Sequence, residues 1–291
     1  MRREQSASNP AVALTLLIAV LLPLVTIIGL FAPGIYRDTT WAIPQERGQD
    51  LITLVVVEPL LIWSLIAAQR TVGVISRLIW AGALGYTLYT YMLYSYTAYF
   101  NALFLAYVAL FALSAFALAS VLLHLDVQAV RAPSGLGRGE RAVALFLVVL
   151  GMFFGLAWLG QIIPATLRGS VPSSISQAKT PSNGVYIQDL GFVIPLLCLA
   201  GIWLWRGRAW GAALGAILLV VADIMGAAIV SMAFFMAHAG IAGSLGTAAL
   251  FTVVTVVSLI VSMVHFGELR ANRSRPATER AAVVIHHRRA G

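Results

Sequence analysis

The dominant feature of this sequence is a succession of long apolar segments separated by short polar ones. Of the 291 residues, 60% are hydrophobic and 10% are charged, whereas about 25% are charged in a typical soluble domain. A bilayer accommodates that much apolar surface, and a helix that spans it needs about 20 mostly apolar residues. The sequence therefore predicts an all-α, polytopic membrane protein with eight transmembrane helices. The predicted helices cover residues 11–31, 51–69, 74–95, 102–124, 142–163, 190–205, 210–236 and 247–266.

The basic residues between these segments indicate how the chain crosses the membrane. With an even number of spans both termini lie on one side, and Arg-rich loops are typically cytoplasmic. Only Arg37, Arg47, Arg168 and Lys179 fall on the opposite side. The other 15 of the 19 basic residues are Arg2, Arg3, Arg70, Arg77, Arg131, Arg138, Arg141, Arg206, Arg208, Arg270, Arg273, Arg275, Arg280, Arg288 and Arg289. Both termini are therefore predicted to be cytoplasmic.

The two halves of the sequence resemble each other. Residues 11–37 align with 142–168 at a constant offset, and further matches follow in the same order through four helices. The matched pairs are Gly29 with Gly160, Pro33 with Pro164, Arg37 with Arg168, Asp50 with Asp189, Pro59 with Pro195, Arg70 with Arg206, Trp80 with Trp210 and His124 with His265. Four helices per half make the repeats parallel, related by an axis along the membrane normal. The prediction is a first repeat in 1–126, a cytoplasmic linker in 127–141, a second repeat in 142–266 and a basic cytoplasmic tail in 267–291.

Two acidic residues lie within the predicted spans. Glu58 is eight residues beyond Asp50, about 12 Å along a helix, and Asp223 is 15 residues from both Arg208 and His238. Ionisable groups inside a membrane are costly and commonly functional. Glu58 and Asp223 are therefore candidates for a substrate site or a proton pathway. The alternative is a protonated carboxyl that hydrogen-bonds to a neighbouring helix and holds the bundle together.

Tyrosines are concentrated in the third predicted helix. Tyr86 and Tyr89 share one face and need hydrogen-bond partners in a dry interior. Because Glu58 is at a comparable depth on the preceding helix, the sequence predicts a polar cluster of Glu58, Tyr86 and Tyr89. Tyr91 points elsewhere and is a candidate lipid-facing residue, whereas Tyr94 has the position of an interfacial aromatic residue.

Symmetric charges flank the outer loops. Arg37 begins the loop that Asp50 ends, and Arg168 begins the loop that Asp189 ends. The pattern favours two salt bridges that hold the loops, and the alternative is a vestibule that offers guanidinium groups to an anionic or zwitterionic solute.

His124 and His265 form a second symmetric pair, at the predicted inner ends of their helices. Paired histidines on separate helices can ligate haem, but histidine at a helix C-terminus is also favoured by the helix dipole. Haem or quinone at this pair is therefore an alternative, and otherwise no cofactor is predicted. Cys198 is the single cysteine, which rules out an internal disulfide and a multi-cysteine metal site. The sequence predicts no metal site and contains no diagnostic catalytic motif.

The basic tail after residue 267 is predicted to contact anionic lipid head groups. We assign the net charge of +8 to topology, because the arginines lie between apolar segments, and no nucleic-acid partner is expected.

The segments GALGYTLYTYMLY (82–94) and FNALFLAYVALFALS (100–114) resemble bacterial multi-pass membrane proteins of uncharacterised activity. The resemblance implies a plasma-membrane setting and supplies no catalytic residues. The sequence favours a transporter or solute-binding permease over an enzyme, with a polar site between the two halves for a small molecule or ion. A membrane-embedded redox protein and a scaffold or accessory subunit are the alternatives.

Overall fold

A computed structural model describes residues 10–70, 73–130 and 136–274, with side chains as far as residue 271. Within these ranges the chain is helical and has no strand. The long helices are α1 (Pro10–Phe31), α2 (Ile43–Arg70), α3 (Val74–Thr97), α4 (Phe104–Leu123), α5 (Arg138–Leu167), α6 (Gly184–Trp205), α7 (Ala209–His238) and α8 (Ser244–Ser274). Part of the predicted linker (131–135) and the tail beyond 274 lie outside the described residues.

Seven of the described helices are long and apolar enough to cross a membrane. The predicted class, an all-α membrane protein, is confirmed at this level. The exception is α3, whose 24 residues are long enough but include five tyrosines. More than half of the residues of α3 are buried against protein, so a lower hydropathy is compatible with its position. A helix that contacts other helices instead of lipid can carry polar side chains that find partners there.

Each half of the chain forms a closed ring of four helices. In the first half α1 packs against α2 and α4, and α3 packs against the same two helices. In the second half α5 packs against α6 and α8, and α7 packs against the same two. The rings meet where α7 contacts α2 and α3. The third helices of the two halves, α3 and α7, are therefore the central ones.

Two glycines let the halves approach closely. A Cβ atom at Gly82 of α3 would lie 2.5 Å from the Cβ of Val220 on α7. A Cβ at Gly48 of α2 would lie 2.5 Å from the Cα of Met232 on α7. Small residues at such crossings bring the helix backbones into van der Waals contact, which is the main source of helix association in a bilayer. The interface between the halves is thus tightly packed at two depths.

The helix ends are fixed by local capping. Asn183 caps α6, because its Oδ1 accepts from the backbone N–H groups of Val185 (2.9 Å) and Tyr186 (3.3 Å). At the start of α5, Glu268 of α8 accepts from the N–H of Gly139 (2.9 Å). Such carboxylates satisfy orphan donors and favour the positive end of the helix dipole. The turn between α6 and α7 uses Gly207, whose positive φ of 66° favours glycine.

Candidate functional site

The helices α2 and α6 begin earlier than the sequence predicts, and this changes the location of two aspartates. α2 starts at Ile43 instead of residue 51, and α6 starts at Gly184 instead of residue 190. Asp50 and Asp189 therefore lie inside helices, where both are buried. The predicted position at the ends of loops was wrong because the polar run before Asp50 does not look like a membrane helix.

The predicted pairing of these aspartates with arginines was also wrong. The side chains of Arg37 and Arg168 are exposed on the surface of the bundle. Asp50 instead accepts a short hydrogen bond from the hydroxyl of Tyr36, and Asp189 accepts from two aromatic side chains described below. A carboxyl that enters a helix bundle takes the nearest buried donor, and here that donor is a phenol or an indole.

Gly29 makes room for the contact between Tyr36 and Asp50. A Cβ atom on Gly29 of α1 would fall on the Asp50 carboxyl and the Tyr36 hydroxyl. Gly160, its counterpart in the sequence alignment, faces open space. The two halves therefore differ at this position, and only in the first half does the glycine lie against a buried carboxyl.

Four tyrosines pack against one another beside Asp50. The ring of Tyr94 meets those of Tyr36, Tyr91 and Tyr107 at centroid distances of 6.5, 5.8 and 5.3 Å, in edge-to-face geometry. All four are buried, which corrects the prediction that Tyr91 faces lipid. The Tyr94 hydroxyl donates to the backbone carbonyl of Glu46 (3.2 Å). The Tyr91 hydroxyl has no hydrogen-bond partner among the described residues.

Asp189 joins the two halves through aromatic donors. Its Oδ1 accepts from the Tyr89 hydroxyl of α3 (3.0 Å), and its Oδ2 accepts from the indole N–H of Trp158 on α5 (2.8 Å). The neighbouring Gln188, with its amide turned to match donors to acceptors, accepts from the N–H of Leu93 (3.0 Å) and donates to the carbonyl of Tyr89 (3.3 Å). The start of α6 is thereby fixed to the second half of α3.

From the other side, α2 holds α3 by similar contacts. The Gln49 amide donates to Thr90 Oγ1 (2.7 Å), and Thr53 Oγ1 lies 3.2 Å from the Tyr86 hydroxyl. Gln49 of α2 and Gln188–Asp189 of α6 therefore bind α3 from the first and the second half respectively, and Asp50, beside Gln49, lies against Gly29 of α1. We refer to the dipeptides Gln49–Asp50 and Gln188–Asp189 as the Gln–Asp pairs.

Glu58 is not hydrogen-bonded to Tyr86 or Tyr89, contrary to the predicted cluster. Tyr86 is bound to Thr53 and Tyr89 to Asp189. Glu58 is 7% exposed, and its Oε2 has no hydrogen-bond partner among the described residues. The tyrosine that interacts with it electrostatically is Tyr91. A buried carboxyl oxygen without a partner is costly, and Glu58 therefore stays a candidate site residue.

Both helices that carry a Gln–Asp pair contain a five-residue π-helical segment. The segments are Thr53–Val57 in α2 and Asp189–Val193 in α6, and each ends just before a residue followed by proline, Pro59 or Pro195. Proline removes one helical hydrogen bond, and the wider turn relieves the mismatch. Such π-helical turns occur frequently at functional sites.

Asp223 is hydrogen-bonded to a neighbouring helix, as expected for a carboxyl that holds the bundle together. Its two carboxyl oxygens accept from Ser258 and Ser262 of α8, both at 2.5 Å. The serines are four residues apart and therefore share one face of α8. This arrangement connects α7 to α8 inside the second half, and it does not bring Asp223 to the Gln–Asp pairs.

The paired histidines occupy different environments. His124 is exposed at the end of α4, where its Nδ1 lies 2.7 Å from the carbonyl of Ser120. His265 is buried in α8 beside Phe266, and its Nε2 has no hydrogen-bond partner within the described part of the chain. Among the residues that the structure covers, no group of three or more His, Cys, Asp or Glu side chains is placed to hold a metal ion.

A further half-buried carboxyl, that of Asp38, lies outside the helices. It lies in the loop between α1 and α2, and its two oxygens accept from the backbone N–H of Tyr99 (3.0 and 3.1 Å). Its carboxyl also interacts electrostatically with that of Glu46. Burial raises the pKa of Asp38 above its ordinary value, and the hydrogen bond from Tyr99 opposes this in part.

Comparisons with family models, with curated proteins and with solved structures gave no match. A functional proposal for this chain therefore rests on the chemistry of its described residues.

Proposed function

We propose that this chain is a plasma-membrane transporter for a small polar solute or ion, with its site at the Gln–Asp pairs on either side of α3. In this proposal the chain has eight spans, formed by two parallel four-helix repeats, and both termini are cytoplasmic.

Three features support the repeats. The two halves have the same pattern of helix neighbours, each with a ring of four. The second helix of each half contains a π-helical segment directly before an X–Pro step. The third helices, α3 and α7, pack on each other at Gly82, where an axis that relates the halves would pass. Parallel repeats of this kind are common in transporters, with the substrate site at the repeat interface.

The orientation follows from the basic residues. Counting α3 as a span, the chain has eight crossings and the 15-to-4 distribution of basic residues puts both termini in the cytoplasm. The start of α2, the end of α3 and the segment between α5 and α6 then lie at the outer end of the bundle.

The observation that carries the activity is the set of buried carboxyls around α3. Asp50, Glu58 and Asp189 are all at most 8% exposed, inside helices that are apolar enough to span a membrane. Acidic groups at such positions are expensive and mark substrate or ion pathways. The unpartnered oxygen of Glu58 and the unpartnered hydroxyl of Tyr91 add donor and acceptor capacity that the protein itself does not use.

The position between the halves supports transport more than a fixed structural role. Asp189 belongs to the second half but is held by Tyr89 of the first. Relative movement of the two halves, as in alternating access, would break or remake this hydrogen bond and change the surroundings of α3. The π-helical turns beside both aspartates are points where α2 and α6 can adjust without unfolding.

The first test is a solute screen with the purified protein. A panel of small polar and cationic solutes is measured for a rise in melting temperature in mild detergent, since a ligand that binds only the folded state stabilises it. Solutes that stabilise are then used in proteoliposome flux assays. We expect Asp50→Asn, Glu58→Gln and Asp189→Asn to reduce both effects.

Asp223→Asn is the matched control, because Asp223 is a half-buried helix carboxyl outside the site. It should lower stability and leave the flux per folded molecule unchanged. If no solute stabilises the protein, or if the three site variants transport as well as the wild type, the transport proposal is wrong.

A further inference from the structure

An apolar groove opens on the outside of the bundle where the two halves meet. It is lined by α2 of the first half and by α7 and α8 of the second, and its volume is about 440 Å³. On α7 the lining residues extend from Ala227 to Phe235, which is about 12 Å along the helix. Phe234 and Val256, at its edges, are 57% and 49% exposed. Since α2, α7 and α8 are all apolar enough to span a membrane, the groove faces the lipid.

The dimensions of the groove fit the hydrocarbon chain of one lipid. Its volume is within the range of small-molecule sites, about 300–1,000 Å³. Its length is close to the thickness of one leaflet, about 15 Å or half of the hydrocarbon core. Two hydroxyls of its wall, those of Thr252 and Thr255, are occupied, because they donate to carbonyls of α8 at 2.7 and 2.6 Å. An acyl chain requires no hydrogen bond from such a wall.

Ser231 is the hydroxyl of the groove wall that the protein itself does not use. Its side chain is 9% exposed, and its Oγ has no hydrogen-bond partner among the described residues. Serine and threonine in a helix commonly donate to the carbonyl one turn earlier, as Thr252 and Thr255 do here. A buried hydroxyl without a partner is costly. Ser231 can therefore donate to an acceptor on a ligand in the groove.

Arg47 brings a positive charge to the same depth. It is four residues before Leu51, a groove residue, and lies on the same face of α2, one turn towards the outer end. The next residue, Gly48, packs closely on α7, because a Cβ atom there would lie 2.9 Å from the backbone carbonyl carbon of Ser231. Arg47 interacts electrostatically with Glu46, but its buried Nε has no hydrogen-bond partner within the described part of the chain.

We propose that this groove binds an anionic phospholipid, with an acyl chain between α2, α7 and α8, the phosphate on Arg47 and an ester carbonyl on Ser231. A phospholipid carries these groups in the matching order, with the phosphate outermost, the esters below it and the chains deepest. The long side chain of arginine reaches from an apolar position towards the membrane surface, and its guanidinium binds phosphate with two hydrogen bonds. An anionic head group is favoured, because the ammonium of a zwitterionic one would be repelled by Arg47.

The lipid site is separate from the carboxyls described above. Asp223 is one turn inward of Ala227 on α7, and both of its oxygens are already bound by serines of α8. Because the groove is formed by α2 of one half and α7 and α8 of the other, a bound lipid contacts both halves. Assigning this lipid to the outer leaflet rests on the proposed orientation. Its binding does not depend on whether the chain transports a solute.

Native mass spectrometry of the delipidated protein tests the head group. The probes are dioleoyl phosphatidylglycerol and dioleoyl phosphatidylcholine, which have the same chains and esters but differ in net charge. We expect phosphatidylglycerol to bind on the order of tenfold more tightly, since a charge-assisted hydrogen bond contributes on that scale. Arg47→Gln should remove this preference. Arg168→Gln, which removes an exposed arginine at the same end of the bundle, is the matched control and should retain it.

Two further variants test the groove itself. Ser231→Ala should weaken the binding of both lipids about fivefold, the loss of one neutral hydrogen bond. The fold should be retained, because this hydroxyl makes no hydrogen bond among the described residues. Ala227→Phe fills the groove and should weaken both lipids more. Its control is Ala249→Phe, at an exposed position of α8 outside the groove, which should bind as the wild type does.

Equal affinities of the wild type for the two lipids, or a preference that persists in Arg47→Gln, would overturn the binding of the phosphate by Arg47. Unchanged lipid binding in both Ser231→Ala and Ala227→Phe would overturn the groove as the site. A lipid-free dimer that dissociates in Ala227→Phe and not in Ala249→Phe would show that a second copy of the chain occupies the groove, and would also overturn the proposal. Solute flux enters none of these outcomes, so a failure here is distinct from a failure of the transport proposal.

Discussion

The hydroxyl of Tyr89 on α3 donates a hydrogen bond of 3.0 Å to Oδ1 of Asp189 on α6. The two residues are 100 positions apart and belong to different predicted repeats. Because the indole of Trp158 occupies the other oxygen of Asp189, the carboxyl is bound by one donor from each half. This relationship makes α3 a shared element of both halves and gives the first prediction.

Tyr89→Phe should destabilise the protein by about 0.6 kcal/mol, the average for an interhelical hydrogen bond in a membrane protein. Asp189→Ala, which removes the accepting oxygen, should cost at least as much, and the double variant less than the sum, because both changes remove the same contact. Unfolding in mixed detergent micelles measures the three values. Additive effects would contradict a direct bond between the two side chains.

Gly29→Ala should be strongly destabilising, because the added methyl group has no space beside Asp50 and Tyr36. Overpacking of this kind costs about 1–3 kcal/mol. The matched control is Gly160→Ala, at the aligned position of the second half, where a methyl group faces open space. Alanine there should be neutral or stabilising by up to about 1 kcal/mol, since it favours helix more than glycine does. Melting temperatures in detergent compare the two, and equal losses would contradict the packing around Gly29.

Asp223→Asn, Ser258→Ala and Ser262→Ala should each lower the melting temperature. Each serine substitution removes one interhelical hydrogen bond, worth about 0.6 kcal/mol on average in a membrane protein. The double serine variant should cost more than either single change, because it leaves a carboxyl without donors. A melting temperature equal to that of the wild type in the double variant would show that this contact does not hold α7 to α8.

Stability should depend on pH through Asp38. Burial raises the pKa of its carboxyl in the folded protein above the ordinary value of 3.8, so the folded state binds this proton more tightly than the unfolded state. The contribution of Asp38 to the free energy of unfolding is therefore largest below the ordinary pKa. It declines as the pH rises from there to the folded pKa. Melting curves across mildly acidic pH measure this decline.

Asp38→Asn is the variant that isolates this effect, because asparagine can still accept from the N–H of Tyr99. Its stability should fall less than that of the wild type over the same pH range. An equal or steeper fall in the variant would contradict a raised pKa of Asp38 in the folded protein.

Length and hydropathy made the positions of the helices predictable, since a bilayer selects apolar runs whatever their tertiary contacts. The eight predicted segments all fall within α1 to α8, except for three residues of the fourth: Ala102 and Leu103 before α4 and His124 after it. Because hydropathy finds only apolar runs, the polar start of α2 was not predicted to be helical. Residues 43–50 carry Glu46, Arg47 and Asp50 and cannot face lipid, and contact with α7 and α1 makes a buried helix possible there.

The sequence by itself determined the membrane class, the candidate acids and the tyrosine-rich third helix, because these depend on composition and spacing along one segment. Tertiary structure alone decided which partners those side chains take. Asp50 binds Tyr36 and Asp189 binds Tyr89 because of helix rotation, depth and close approach at Gly29 and Gly48. The π-helical turns also change the rotation of α2 and α6 partway along their length. A hydrogen bond depends on atomic positions within a few tenths of an ångström, and a pattern of residue types carries no information at that scale.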